Sequence, residues 1–109
     1  MSTAYDRARL VELFGDDSGT LADVEREFLN TARTAEREII TTDDLAAVAR
    51  IAHRLKGASG MIGADALRLV AEDVERAAES ADRQRLRRLH GALSDEVRRV
   101  AEQCSAGRA

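Results

Sequence analysis

LADVEREFLNTARTAEREII, residues 21–40, decides the fold class. Its apolar residues Leu21, Val24, Phe28, Ala32, Ala35 and Ile39 recur at steps of three and four, the spacing that gathers side chains on one face of a long amphipathic α-helix. The same period continues on both sides. Upstream, Arg9-Leu10-Val11-Glu12-Leu13-Phe14 predicts a short helix ending at Gly15. A turn follows at Asp16-Asp17-Ser18-Gly19, with Asp17, Ser18 or Thr20 available to cap the long helix. Downstream, Thr41-Thr42-Asp43-Asp44 offers capping residues for a third helix, whose inner face is Leu45, Val48, Ile51, Ala52, Leu55, Ala58 and Ile62, as far as Gly63. A fourth begins near Ala64, with Leu67, Val70, Val74 and Ala78 inside, and is broken at Ser80-Ala81-Asp82. The last carries Leu86, Leu89, Leu93, Val97, Val100 and Cys104 on one stripe, before a tail, Ser105–Ala109, expected to fray.

Four substantial helices joined by short turns must lie antiparallel to their neighbours. The expected fold is all-α: an antiparallel up-down four-helix bundle, with a short additional N-terminal helix covering one end. The 109 residues form a single domain, with its core between about residues 18 and 104. Composition agrees. Hydrophobic residues make up 44% but aromatics only 3%, and proline is absent, so the core is built from Leu, Val, Ile and Ala.

A formal charge of −3 argues against nucleic acid as the main partner. No apolar run reaches the roughly 20 residues that span a bilayer, and Met1–Arg7 lacks the apolar stretch of a signal peptide. One cysteine, Cys104, permits no internal disulfide, as suits a reducing cytoplasm, and its place on an apolar stripe marks it as a packing residue. A soluble, cytoplasmic and freestanding protein is expected, since Met1 opens the chain and no linker flanks the bundle.

The third helix carries the chemistry. Its run Ala52-His53-Arg54-Leu55-Lys56-Gly57-Ala58-Ser59-Gly60-Met61-Ile62-Gly63 holds one of two histidines and the only lysine; the other 16 basic residues are arginine. A lysine is a compact point charge, not interchangeable with the broad fork of arginine at a phosphate site. On a helix His53, Lys56, Gly57 and Gly60 share a face. Each glycine costs about 1 kcal/mol in a helix interior, a cost that close approach of another molecule to His53 would explain. Between Leu45 and Ala64 there is no acidic residue, while Arg50, Arg54 and Lys56 are positive. An otherwise acidic protein is therefore expected to show one basic face, attractive to an anionic partner. Those cations should disfavour imidazolium and keep His53 a competent nucleophile towards an activated phosphoryl group. No GxxxxGK[ST] loop and no carboxylate cluster for magnesium accompanies it, so the chain is not expected to split ATP by itself.

The run closely resembles the signature of the histidine-containing phosphotransfer (HPt) family, His-x-Leu-Lys-Gly-x-Ser-x-x-x-Gly, with His53, Leu55, Lys56, Gly57, Ser59 and Gly63 in its places. Phe28, a helix opened by Asp43, and Val74-Glu75 are looser family features, and the likeness extends over about Leu21 to Val100. The resemblance implies a four-helix bundle in a two-component phosphorelay. His53 would take a phosphoryl group from a receiver-domain aspartate and pass it to another, with Lys56 the cation beside the phosphate. Arg50, Arg54, Gly57 and Gly60 would meet the partner: a response-regulator receiver or a hybrid sensor histidine kinase. The chain would act as a monomeric phosphoryl carrier rather than an autonomous kinase, with no cofactor of its own and Mg²⁺ on the partner receiver. Some relatives set a glutamine or other polar residue beside the histidine, and the sequence alone singles none out.

Plainer readings stand beside these. Gly63 is first a helix C-terminal glycine, Gly60 would also suit close helix packing, and Ser59 is expected to make a helix or interhelix hydrogen bond. His90, at the edge of the last stripe, reads as partly buried and structural, and Arg83, Arg85, Arg87 and Arg88 as a solvated face. The rival function is a non-catalytic adaptor that docks a receiver or kinase without carrying phosphate. The dimerisation bundle of a histidine kinase fits less well, because Arg54 stands where those bundles place an acid.

Overall fold

The computed structural model describes residues 4–106. They form five helices: α1 (Arg7–Phe14), α2 (Ser18–Thr41), α3 (Leu45–Met61), α4 (Asp65–Glu79) and α5 (Arg83–Ala106). Aspartates start four of them. The side chains of Asp6, Asp17, Asp44 and Asp82 accept hydrogen bonds from the backbone N–H groups of Ala8, Thr20, Ala46 with Ala47, and Arg85, groups that a helix leaves unpaired in its first turn. The cap of α3 is thus Asp44, not Asp43 as expected. Residues 105 and 106 continue α5 rather than fraying, and the remainder of the expected tail lies outside the described residues.

Each of α2 to α5 packs on its neighbours in the chain, and α5 closes the ring against α2. This is the antiparallel four-helix bundle that the short turns demand, measuring 43 × 23 × 19 Å. The buried stripes largely follow the periodicity: Leu21, Phe28, Ala32, Ala35 and Ile39 on α2; Val48, Ala52 and Leu55 on α3; Leu67, Val74 and Ala78 on α4, with Ala71 added; Leu86, Leu93, Val97, Val100 and Cys104 on α5. Val24, Leu45, Ile51, Ala58, Val70 and Leu89 are only partly buried against the core.

The core starts earlier than expected, because Ala4, Tyr5 and Leu10 are buried in it. Gln103 on α5 holds that segment. Its side-chain amide accepts from the N–H of Ala4 and donates to the carbonyl of Tyr5 at 2.9 Å. Arg7 adds an ion pair at 3.4 Å to Glu25, a carboxylate buried on α2.

Two chain reversals set the registers. Gly63 ends α3 with φ +73°, and the N–H of Ala64 reaches back to the carbonyl of Ser59 at 2.8 Å, as in a Schellman cap. A Cβ on Gly63 would stand 2.7 Å from the Cβ of Asp6, so both backbone and space require glycine. Ala81 closes α4 in the same manner with φ +54°, without the freedom of glycine. Ser59 departs from expectation. It is fully buried and its hydroxyl has no hydrogen-bond partner.

Gly63→Ala is expected to destabilise the bundle by more than the roughly 1–2 kcal/mol of a left-handed backbone, because the Asp6 clash adds to it. Ser59→Ala should leave stability equal or higher, since removing an unpartnered buried hydroxyl lifts a desolvation cost. Urea unfolding of the two variants beside the wild type checks both expectations. A Gly63→Ala protein as stable as wild type, or a Ser59→Ala protein clearly weaker, would contradict this account.

Candidate functional site

His53 stands in the middle of α3, on the face away from Ala52 and Leu55, which are fully buried. Opposite it on α4 is Glu75. In an antiparallel helix pair, residues equally distant in sequence from the turn lie level with each other. His53 and Glu75 are equally far from Ala64, and so are Gly60 and Arg68.

The Glu75 carboxylate is bidentate. Oε2 lies 2.8 Å from His53 Nδ1 and Oε1 accepts from Lys56 Nζ at 2.9 Å. The side chains of His53, Lys56 and Glu75 are 66%, 30% and 15% exposed, so a sheltered carboxylate anchors an accessible ring. The Lys56 hydrogen bond, and less strongly that of His53, hold Glu75 below the ordinary glutamate pKa of 4.5 against an opposing effect of burial. An ionised carboxylate only accepts hydrogen bonds, so His53 donates from Nδ1. In the neutral ring the lone pair is then on Nε2.

This corrects the expected electrostatics. The group in contact with His53 is an anion, and α4 sets Glu72, Glu75 and Glu79 along the supposedly basic face. Glu72 pairs with Arg76 at 2.7 Å. Glu79 joins Glu75, Arg50, Arg54, His53 and Ala49 around an open depression of about 570 Å³. Arg50 and Arg54 make no hydrogen bond or ion pair among the described residues, so they remain the free positive charges beside the ring.

The glycines divide. A Cβ on Gly57 would meet nothing within 4 Å, leaving open surface one turn from His53. A Cβ on Gly60 would stand 3.3 Å from Cδ of Arg68, so that space already belongs to α4. Beyond Gly57 an apolar groove of about 500 Å³ runs between helices, with Phe14 of α1, Val24 and Phe28 of α2, Ala58 and Met61 of α3, and Ile62 just past its end among the walls. Among the described residues no three His, Cys, Asp or Glu side chains gather to hold a metal ion, and no helix is long and apolar enough to cross a membrane.

Sequence reading passed over Glu75 as the partner of His53, although the level-pairing rule about the Gly63–Ala64 turn pointed to it. His90 is half-buried as expected, and its Nε2 is enclosed without a hydrogen bond.

Glu75→Ala is expected to abolish the preference of His53 for the Nδ1–H form, read from imidazole ¹⁵N shifts near neutral pH. Because Glu75 is lowered on folding, its contribution to stability is complete above about pH 4.5 and disappears as pH falls through its folded value. Acid titration of unfolding free energy should show that loss in the wild type and not in Glu75→Ala.

No curated protein and no solved structure gives a match to set beside this one. Among protein families, the Hpt domain matches residues 9–103, nearly the whole chain. The all-α bundle described above agrees with that match, since Hpt domains are helical bundles. The chain belongs to the Hpt domain family, the domains of histidine phosphotransfer in two-component signalling.

Proposed function

We propose that His53 is the phosphoryl acceptor of a phosphorelay, taking the group on Nε2 from a receiver-domain aspartate and returning it to another. The observation that carries this reading is the exposed imidazole held at Nδ1 by Glu75, with Lys56 on the same carboxylate. A ring fixed at one nitrogen presents the other in a constant direction, and phosphoryl transfer depends mainly on such positioning and on charge. In the forward step Nε2 attacks phosphorus, the N–P bond forms, and the P–O bond to the aspartate breaks with its electrons leaving on the carboxylate. Return reverses each change. Lys56 turns from Glu75 towards the incoming oxygens, and Glu75 holds the Nδ1 proton of the positively charged phosphoimidazole.

The receiver contributes the magnesium ion and the remaining catalytic groups, since this chain supplies an acceptor and a cation. Open surface at Gly57 and the apolar groove beyond it suit a helix of the partner, while Arg50 and Arg54 favour an acidic rim around its aspartate. The protein works as a monomeric carrier in the cytoplasm.

With a labelled phospho-receiver as donor, His53→Gln should accept no acid-labile label while keeping the wild-type helical spectrum. Label on that variant would falsify the assignment. Lys56→Ala should slow transfer by roughly tenfold, the worth of one charge-assisted contact, and retain the fold. An unchanged rate would remove Lys56 from the mechanism.

A further inference from the structure

At the pole where α2 passes to α3, about two turns along α3 from His53, the first turns of α5 carry Arg83, Leu86, Arg87 and His90 on one face. Between Arg83 and Ser94 this helix has no acidic residue; its own carboxylates begin at Asp95. Further along, Arg98 and Arg99 pair with Asp95 and Glu96 at 2.8 and 2.9 Å. Among the described residues Arg83 and Arg87 have no carboxylate partner. Arg83 reaches only the backbone carbonyl of Asp43, at 3.4 Å, and Arg87 has no hydrogen bond or ion pair among the described residues.

Both arginines face a cavity of about 320 Å³, more enclosed than the depression beside His53. Ile39 and Ile40 of α2 wall it on one side, and Thr42 and Asp43 of the α2–α3 connection on another. His90 completes the α5 wall. Burial, and then the charge of Arg87, hold its imidazole below the ordinary 6.5, so the ring is uncharged at neutral pH. The charged groups lining the cavity are therefore two guanidiniums and the single carboxylate of Asp43.

We propose that this cavity is a binding site for a small phosphate-class oxyanion, distinct from the phosphoacceptor histidine. Guanidinium forks match the oxygen edges of phosphate, and the volume accommodates one or two phosphate groups. Both arginines are exposed to solvent, while Ile39 and Leu86 in the walls are buried. An anion here ties α5 to the α2–α3 connection, and so stabilises the folded state by mass action. Its charge also favours the imidazolium form of His90, so binding raises the affinity of that ring for a proton.

The test is an NMR titration of the intact protein with inorganic phosphate and with pyrophosphate, at constant ionic strength, following the His90 Cε1–H signal. The expected result is a saturable shift, retained in His53→Gln and roughly tenfold weaker in Arg87→Gln, the loss of one charge-assisted hydrogen bond. The His90 titration midpoint should rise when phosphate is bound. A linear shift equal to that in sodium chloride, or an unchanged response in both Arg87→Gln and Arg83→Gln, would overturn the proposal. Vesicles containing phosphatidic acid form the second arm. Binding to them without a response to the free anions would also overturn it, because the source would then be a lipid surface.

Discussion

The functional face depends on the register in which α3 lies against α4. These helices form the most extensive pairing in the bundle, and their turn is pinned by a left-handed Gly63 packed on Asp6. Slipping one helix by a single residue would rotate Glu75 about 100° away from His53, breaking two hydrogen bonds to one carboxylate. The glycine that ends α3 therefore matters to the chemistry as well as to the fold, because it determines which α4 side chain meets the histidine.

Charge around the imidazole is balanced rather than simply positive. Lys56 neutralises Glu75, and Glu75 orients His53. Among the described residues Arg50 and Arg54 have no ion-pair partner and stand as cations on the rim. A ring touching only cations would have no preferred tautomer, whereas a ring donating to a sheltered carboxylate has one. The single lysine suits this place because its slender ammonium can occupy one carboxylate oxygen and still turn on its stem towards an incoming group.

Helical periodicity made the fold legible. The stripes on α2 to α5 are those of the core, and the polar residues between them cap the helices, with a shift of one residue at Asp44. The histidine, the lysine and the open side of Gly57 could also be read from a single helix. Contacts between helices were harder. A helix read by itself cannot show that Arg68 fills the space at Gly60, or that Glu75 meets His53. Ser59 misled because a hydroxyl implies a partner, whereas its buried Oγ has none. Tyr5 and Ala4 fell outside every stripe, since a segment preceding an eight-residue helix is too short to display a period.

The clasp of Gln103 on Ala4 and Tyr5 brings the beginning and end of the described chain together at the pole that also contains Gly63. The bundle is in effect a closed loop of helices whose two described ends lie on the same side. Such a layout suits grafting: a host chain can carry the domain like a bead on a short stalk, entering and leaving without crossing it. The opposite pole, with the α2–α3 and α4–α5 bends, then points away from the host.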